Sequence, residues 1–376
     1  MNNYFLLYII LFLFFSCQEK QESQIKKQPA ENYIRYANRL SIQKYTDFSI
    51  VTVSNPWPTS DKKYIYILNQ KGAKIPDSLL NYTRIQVPIQ SIVVTSTTHI
   101  PALELLEVES KLVGFPNTSY ISSEKTRALT ETGQVREIGN NQSLNIEVLL
   151  DMQPDVIIGF GVDGEKKTYD NLQQNGLKVL YNGDWTEQHP LGRSEWIQLF
   201  GVLFGLEEKA DSIFKTIEKE YQGAIDLVQK ATSKPTILSG AIYQDQWYLP
   251  QGKSWAAQFL NNAGGIYLWS ASEGTGSLSL SFETVLEKAQ NADFWIGPGQ
   301  FTSFEELEKA NPNYKYFKAV QNKNVYSFSS KKGKTGGVIY YELAPNRPDV
   351  VLKDLIKILH PDLIPGHELY FFEKLK

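Results

Sequence analysis

One unit occurs twice in this chain, and few folds can use it. Residues 143–161 read SLNIEVLLDMQPDVIIGFG, and residues 279–299 read SLSFETVLEKAQNADFWIGPG. Both run Ser-Leu, a polar residue, an apolar residue, a glutamate, a short apolar-periodic stretch, an aspartate, an apolar run and Ile-Gly-x-Gly. Asn145 and Ser281 are N-cap residue types, so each unit predicts a helix with Glu147 or Glu283 in its first turn. DVIIG is a short continuous apolar run, the pattern of a parallel strand covered on both faces, and DFWIG ends the second copy in the same way. A helix leading into such a strand, repeated in register, predicts two lobes of similar design.

The rest of the chain fits that plan. SIVVTS (91–96), DVIIG (155–159) and LKVLYN (177–182) read as strands separated by helical stretches, which is the βαβ pattern. LEEKADSIFKTIEKEYQGAIDLVQKA (206–231) is a helix on the order of 39 Å long. The α/β pattern then restarts with KPTILSG and closes on the apolar-periodic helix 347–359. With 376 residues there is chain enough for two cores. The expected organisation is an N-terminal lobe over 46–205, a joining helix over 206–231 and a C-terminal lobe over 232–376. FSIVTV (48–53) and YIYIL (64–68) flank a Pro-rich joint and predict an added β-hairpin on the first lobe.

The N-terminus reads as a targeting segment. Residues 4–15 form an apolar run shorter than the roughly 20 residues a spanning helix needs, which fits a signal peptide. It stops at Phe14-Phe15-Ser16-Cys17, which resembles a bacterial lipobox, with Cys17 as the lipidation site and membrane anchor. The polar residues after it predict a flexible tether over 18–45. Cys17 is the only cysteine, which excludes a disulfide framework and a thiolate metal site. The four histidines show no metal-ligand spacing, and no cofactor is expected. A net charge of −3 gives no reason to expect nucleic acid as a partner. No G-x-S-x-G, H-E-x-x-H or P-loop occurs, so nothing in the sequence points to an enzyme.

The combination of SIVVTSTTHIPALELL, the two repeated units, LGRSEWIQLFGVLFGLEEKADSIF and RPDVVLKDLIKILHP resembles the helical-backbone (class III) substrate-binding proteins of ABC importers for iron-siderophores, haem and vitamin B12. That resemblance implies an α/β fold of two Rossmann-like lobes joined by one long helix, with the ligand in the cleft between them and little closure on binding. It implies a periplasmic, lipid-anchored, monomeric protein. Such a protein captures a metal chelate, a ferric siderophore or corrinoid, and hands it to an ABC permease. Haem is the alternative ligand, and a glycan-binding or adhesion lipoprotein is the alternative class; the latter would need β-sandwich spacing. By position, the resemblance makes Glu147 and Glu283 the permease-docking residues, although a helix dipole favours acidic residues there in any case.

Loops at the carboxyl ends of parallel strands supply the ligand contacts in such lobes. In the first lobe they carry Thr97, Thr98, His99, Phe160, Asp163, Trp185 and Arg193. In the second they carry Tyr243, Trp247, Tyr248, Trp255, Trp269, Phe301 and the lysines around Lys332. Aromatic surface with a few cations suits a bulky anionic chelate, whereas core packing is the competing role for each tryptophan.

Overall fold

The computed structural model describes residues 32–58, 60–161 and 166–376. Cys17, its apolar leader and Asp163 therefore lie outside the described residues. Among those described, no helix is long and apolar enough to cross a membrane.

Each lobe is built on a five-stranded sheet. In the first, the spatial order is Val179–Asn182, Val156–Phe160, Ile92–Val94, Leu112–Phe115 and Arg136–Glu137, all parallel. In the second it is Ile266–Tyr267, Thr236–Ser239, Phe294–Ile296, Val325–Ser327 and Glu373–Lys374, parallel except for the last. The order reverses beside the first strand of each lobe, which opens a crevice at its carboxyl end. A β-sandwich, required by an adhesion role, is not what these parallel sheets form.

The repeated unit has a common structural reason. Asp155 Oδ2 accepts from Ser91 N at 2.9 Å, while Asp155 N donates to Ser91 Oγ at 3.0 Å. Asp293 Oδ2 accepts from Thr236 N at 2.9 Å, while Asp293 N donates to Thr236 Oγ1 at 3.1 Å. In each copy the aspartate thus locks the unit's strand to the first strand of its lobe, at the switch point. The unit's helices, Ile146–Met152 and Phe282–Ala289, are capped by Asn145 and Ser281 as the sequence predicts.

The joining helix runs Glu207–Val228, about 33 Å at 1.5 Å per residue. It buries Ala210, Phe214, Ile217, Tyr221 and Ala224 at alternating three- and four-residue spacing. This face packs against the helix Ile197–Phe204 of the first lobe and Pro348–Leu359 of the second.

The N-terminal hairpin forms as expected, Phe48–Ser54 pairing antiparallel with Lys63–Asn69, and is the centre of a four-stranded sheet ordered Leu40–Lys44, Phe48–Ser54, Lys63–Asn69, Thr83–Gln86. One expectation is corrected here. The tether does not reach residue 45, because Ile34, Ala37, Leu40 and Ile42 are buried. Two buried carboxylates hold that segment down. Glu195 accepts from the backbone N–H of Arg35, Tyr36 and Ala37 at 2.7–2.9 Å. Glu187 accepts from those of Asn38 and Arg39 at 2.9 and 2.7 Å.

Candidate functional site

Two cavities open along the seam between the lobes. The first, about 480 Å³, has Trp185, Glu187 and Arg193 on one side, Ser254 and Trp255 on the other, and Arg39 at its edge. Local structure places each of these. Trp185 sits in a 3₁₀ turn directly after the strand Val179–Asn182, where Asn182 Oδ1 accepts from Asp184 N. Arg193 lies on the helix Pro190–Glu195, started by Pro190 and capped by His189 Nδ1. Trp255 opens the helix Trp255–Asn262 behind the cap Ser254.

Arg193 is fixed by two carbonyls: Nε donates to Glu187 O at 3.0 Å and Nη2 to Trp185 O at 2.8 Å. Its guanidinium then lies 4.6 Å from the Trp255 ring centroid, a cation–π contact from one lobe to the other. Burial pulls its pKa down from the ordinary value, against the nearby Asp184 carboxylate, but an arginine remains charged. The indole nitrogens of Trp185 and Trp255 are buried and have no hydrogen-bond partner among the described residues. A site with a held cation and aromatic faces is suited to a flat or anionic ligand.

The second cavity is larger, about 820 Å³, and is lined by Glu104, Arg127, Glu131, Lys332, Lys334 and Glu342 among others. Several of these charges are already engaged across the seam. Lys334 pairs with Glu131 at 2.7 Å, and Glu342 accepts from Ser122 N and Ser123 N at 2.7 and 2.9 Å. These two contacts tie the lobes together beside the cavity, as a lobe-to-lobe latch.

Burial, with a smaller push from the Glu104 carboxylate, raises the Glu342 pKa to about 7 against the lowering effect of its Ser122 and Ser123 backbone donors. A raised acid contributes stability that is complete below its unfolded pKa and is lost as pH rises through the folded value. The window is therefore about pH 4.5 to 7. Glu342→Gln, which does not ionise, is expected to gain on the wild type by up to about 3 kcal/mol between pH 4.5 and 8. Paired thermal melts across that range measure it; a difference independent of pH would show that Glu342 does not titrate there.

The periplasmic binding protein family matches residues 92–331. The chain belongs to that family. An uncharacterized lipoprotein of Methanocaldococcus jannaschii is 25% identical over 366 residues, covering 91% of this chain and 85% of its own. Two solved structures share the fold. One, from Staphylococcus epidermidis, is described as a possible iron-binding (periplasmic solute-binding) protein; it has a TM-score of 0.56 and 18% identity, and covers 73% of this chain and 99% of its own. The other is a periplasmic heme-binding protein of Pseudomonas aeruginosa, with a TM-score of 0.56 and 18% identity, covering 77% of this chain and 98% of its own.

In this periplasmic binding protein the expected contact residues separate into groups. Trp185, Arg193 and Trp255 meet at the smaller cavity, and the Phe160 ring lies 5.7 Å from that of Trp185. Lys332 lines the latch cavity instead. His99 is corrected: it is 1% exposed, its nitrogens have no partner among the described residues, and burial lowers its pKa, favouring the neutral ring. Thr98 is engaged internally, donating to Asp184 Oδ2 and accepting from Asn346 Nδ2 of the other lobe. Thr97 beside it is half-buried and lines neither cavity.

Trp247 is core, fully buried against Trp295, Tyr314 and Phe317, with its indole N–H on Ser239 O. Trp269 is also buried, under Lys288. Tyr243 and Tyr248 are exposed on a three-stranded antiparallel sheet, and Phe301 packs edge-on to Tyr314. None of these five lines either cavity. The sequence reading missed Arg39, because the segment bearing it was read as tether.

Glu147 and Glu283 are both exposed, and each occupies the second residue of its helix. Neither carboxylate forms an ion pair within the described residues.

Proposed function

We propose that this chain captures a metal chelate, a ferric siderophore or a corrinoid, between its lobes and delivers it to an ABC permease. It would work outside the cytoplasm, tethered through lipid on Cys17 and performing no chemistry. The observation that carries the reading is the Arg193–Trp255 contact across the cleft, beside Trp185. A cavity of about 480 Å³ with aromatic walls is of the size that holds a small ligand. The iron-binding and heme-binding descriptions of the two structural relatives support the ligand class, with haem as the second reading. The lipoprotein description of the archaeal relative supports the tether, which the intact mass of detergent-extracted protein checks at Cys17.

Titration of the purified chain with a ferric tris-catecholate, a ferric tris-hydroxamate, haem and cobalamin tests the reading. With Trp185 and Trp255 at the cavity, the expected result is saturable quenching of tryptophan fluorescence by at least one of them. Silence toward all four would remove the chelate-binding function.

A further inference from the structure

The family match begins at residue 92, yet residues before it reach the ligand cavity. Arg39 and Pro58 both line it, from the same end of the antiparallel strand pair Leu40–Lys44 and Phe48–Ser54. We propose that the N-terminal segment 35–58 is a third wall of the binding site, and that Arg39 with Arg193 selects a chelate bearing net negative charge. The inference rests on the chelate-binding reading and narrows it.

The segment is fastened to the first lobe at both ends of this wall. At one end, Glu195 and Glu187 together accept five backbone N–H groups from residues 35–39. Both carboxylates are almost fully buried, at 1% and 2% exposure. At the other end, Pro56 and Trp57 press on backbone that has no side chain. A Cβ at Gly161 would lie 2.5 Å from the Trp57 ring, so the final glycine of the first repeated unit is required by this contact. Trp57 also packs edge-on to Tyr181, at 5.3 Å. The two ends are joined by Ser54 N donating to Arg39 O at 2.8 Å. A wall held this way presents Arg39 in a fixed place before ligand arrives, which reduces the ordering cost of binding.

The charge of the cavity follows from the same contacts. Its described lining has two guanidiniums, Arg39 and Arg193, and one carboxylate, Glu187. Glu187 is already occupied by Asn38 N, Arg39 N and the Trp196 indole N–H. With two guanidiniums against one carboxylate, the charged lining carries a net positive charge of one, and the lone pairs of Glu187 are turned to the wall rather than to a ligand. Guanidinium groups bind planar oxygen donors such as carboxylate or catecholate in paired hydrogen bonds. A neutral tris-hydroxamate complex offers no such group, and cobalamin offers only one phosphodiester within a molecule of no net charge.

Arg39→Ala, Arg39→Lys and wild type should be titrated with a ferric tris-catecholate and a ferric tris-hydroxamate. The clamp to the first lobe uses the backbone of residue 39, and its side chain adds only an Nη1 contact to Asn55 Oδ1 at 2.9 Å inside the wall, so a melt of each variant verifies that truncation leaves the wall attached. The wild type should prefer the anionic catecholate. Arg39→Ala should weaken that complex roughly tenfold to a hundredfold, the usual range for one charge-assisted contact. Arg39→Lys should recover part of the loss, and no hydroxamate binding should change. An unchanged catecholate Kd in Arg39→Ala overturns the third wall and leaves the chelate reading standing. If wild type binds neither probe, haem nor cobalamin, the chelate reading falls and takes this inference with it.

Discussion

Glu195→Ala should destabilise the protein by about 3–5 kcal/mol, the scale set by leaving three buried backbone donors without their acceptor. The carboxylate is 1% exposed and is the acceptor for the N–H groups of Arg35, Tyr36 and Ala37. Without it, three donors are left inside the fold, each costing about 1–3 kcal/mol unless the segment lifts into water to satisfy them. Lifting would undo the burial of Ile34, Ala37 and Leu40 and detach the strand Leu40–Lys44 from Phe48–Ser54. The variant should therefore show a lower denaturation midpoint and new protease sites within residues 32–44, while the core of either lobe stays protected. Glu195→Gln, which keeps one acceptor oxygen, should fall between. A midpoint matching the wild type would mean that the segment is held by its apolar contacts alone.

That segment also shows where the sequence could be read and where it could not. The lobes were legible because their signals are local. Continuous apolar runs, N-caps and a repeated aspartate all lie within a few residues of the strands they build. The repeat carried more than it first showed, since Asp155 and Asp293 lock equivalent strand pairs in the two lobes. Residues 32–44 look like tether because their composition is polar and their anchors, Glu187 and Glu195, lie about 150 residues further along the chain. No window of sequence contains both halves of such a contact. The same limit explains the site. Position after a strand brought Trp185, Arg193 and Trp255 into the candidate set, and the structure joins them. It could not separate Trp255, at the cavity, from Trp247, whose alternation in the strand Gln246–Pro250 turns it into the core while Tyr248 faces out. His99 failed for a related reason: a helix-start position suggests exposure, but the helix Ile197–Phe204 covers it through Phe200.

The double variant Glu147→Ala, Glu283→Ala is expected to cut ligand uptake in cells roughly tenfold or more, with ligand affinity unchanged. The loss follows from removing two charge-assisted contacts of about 1.5–3 kcal/mol each from the permease complex. The structural support is that both carboxylates are exposed, hold the same helix position and lack ion-pair partners among the described residues. A docking role explains why one such group recurs per lobe: two fixed points orient a rigid body on a partner of matching symmetry, and bidentate pairing with arginine is selective for direction. The competing role is stabilisation of each helix by a negative charge in its first turn, about 0.3–1 kcal/mol apiece. The two roles separate cleanly, because docking lowers uptake without moving the melting temperature, whereas the dipole role lowers the melting temperature without touching uptake. Each single variant should give an intermediate loss, and raising the ionic strength should weaken wild-type docking to the isolated permease more than it weakens the double variant. Normal uptake by the double variant at equal affinity would return both glutamates to their own helices.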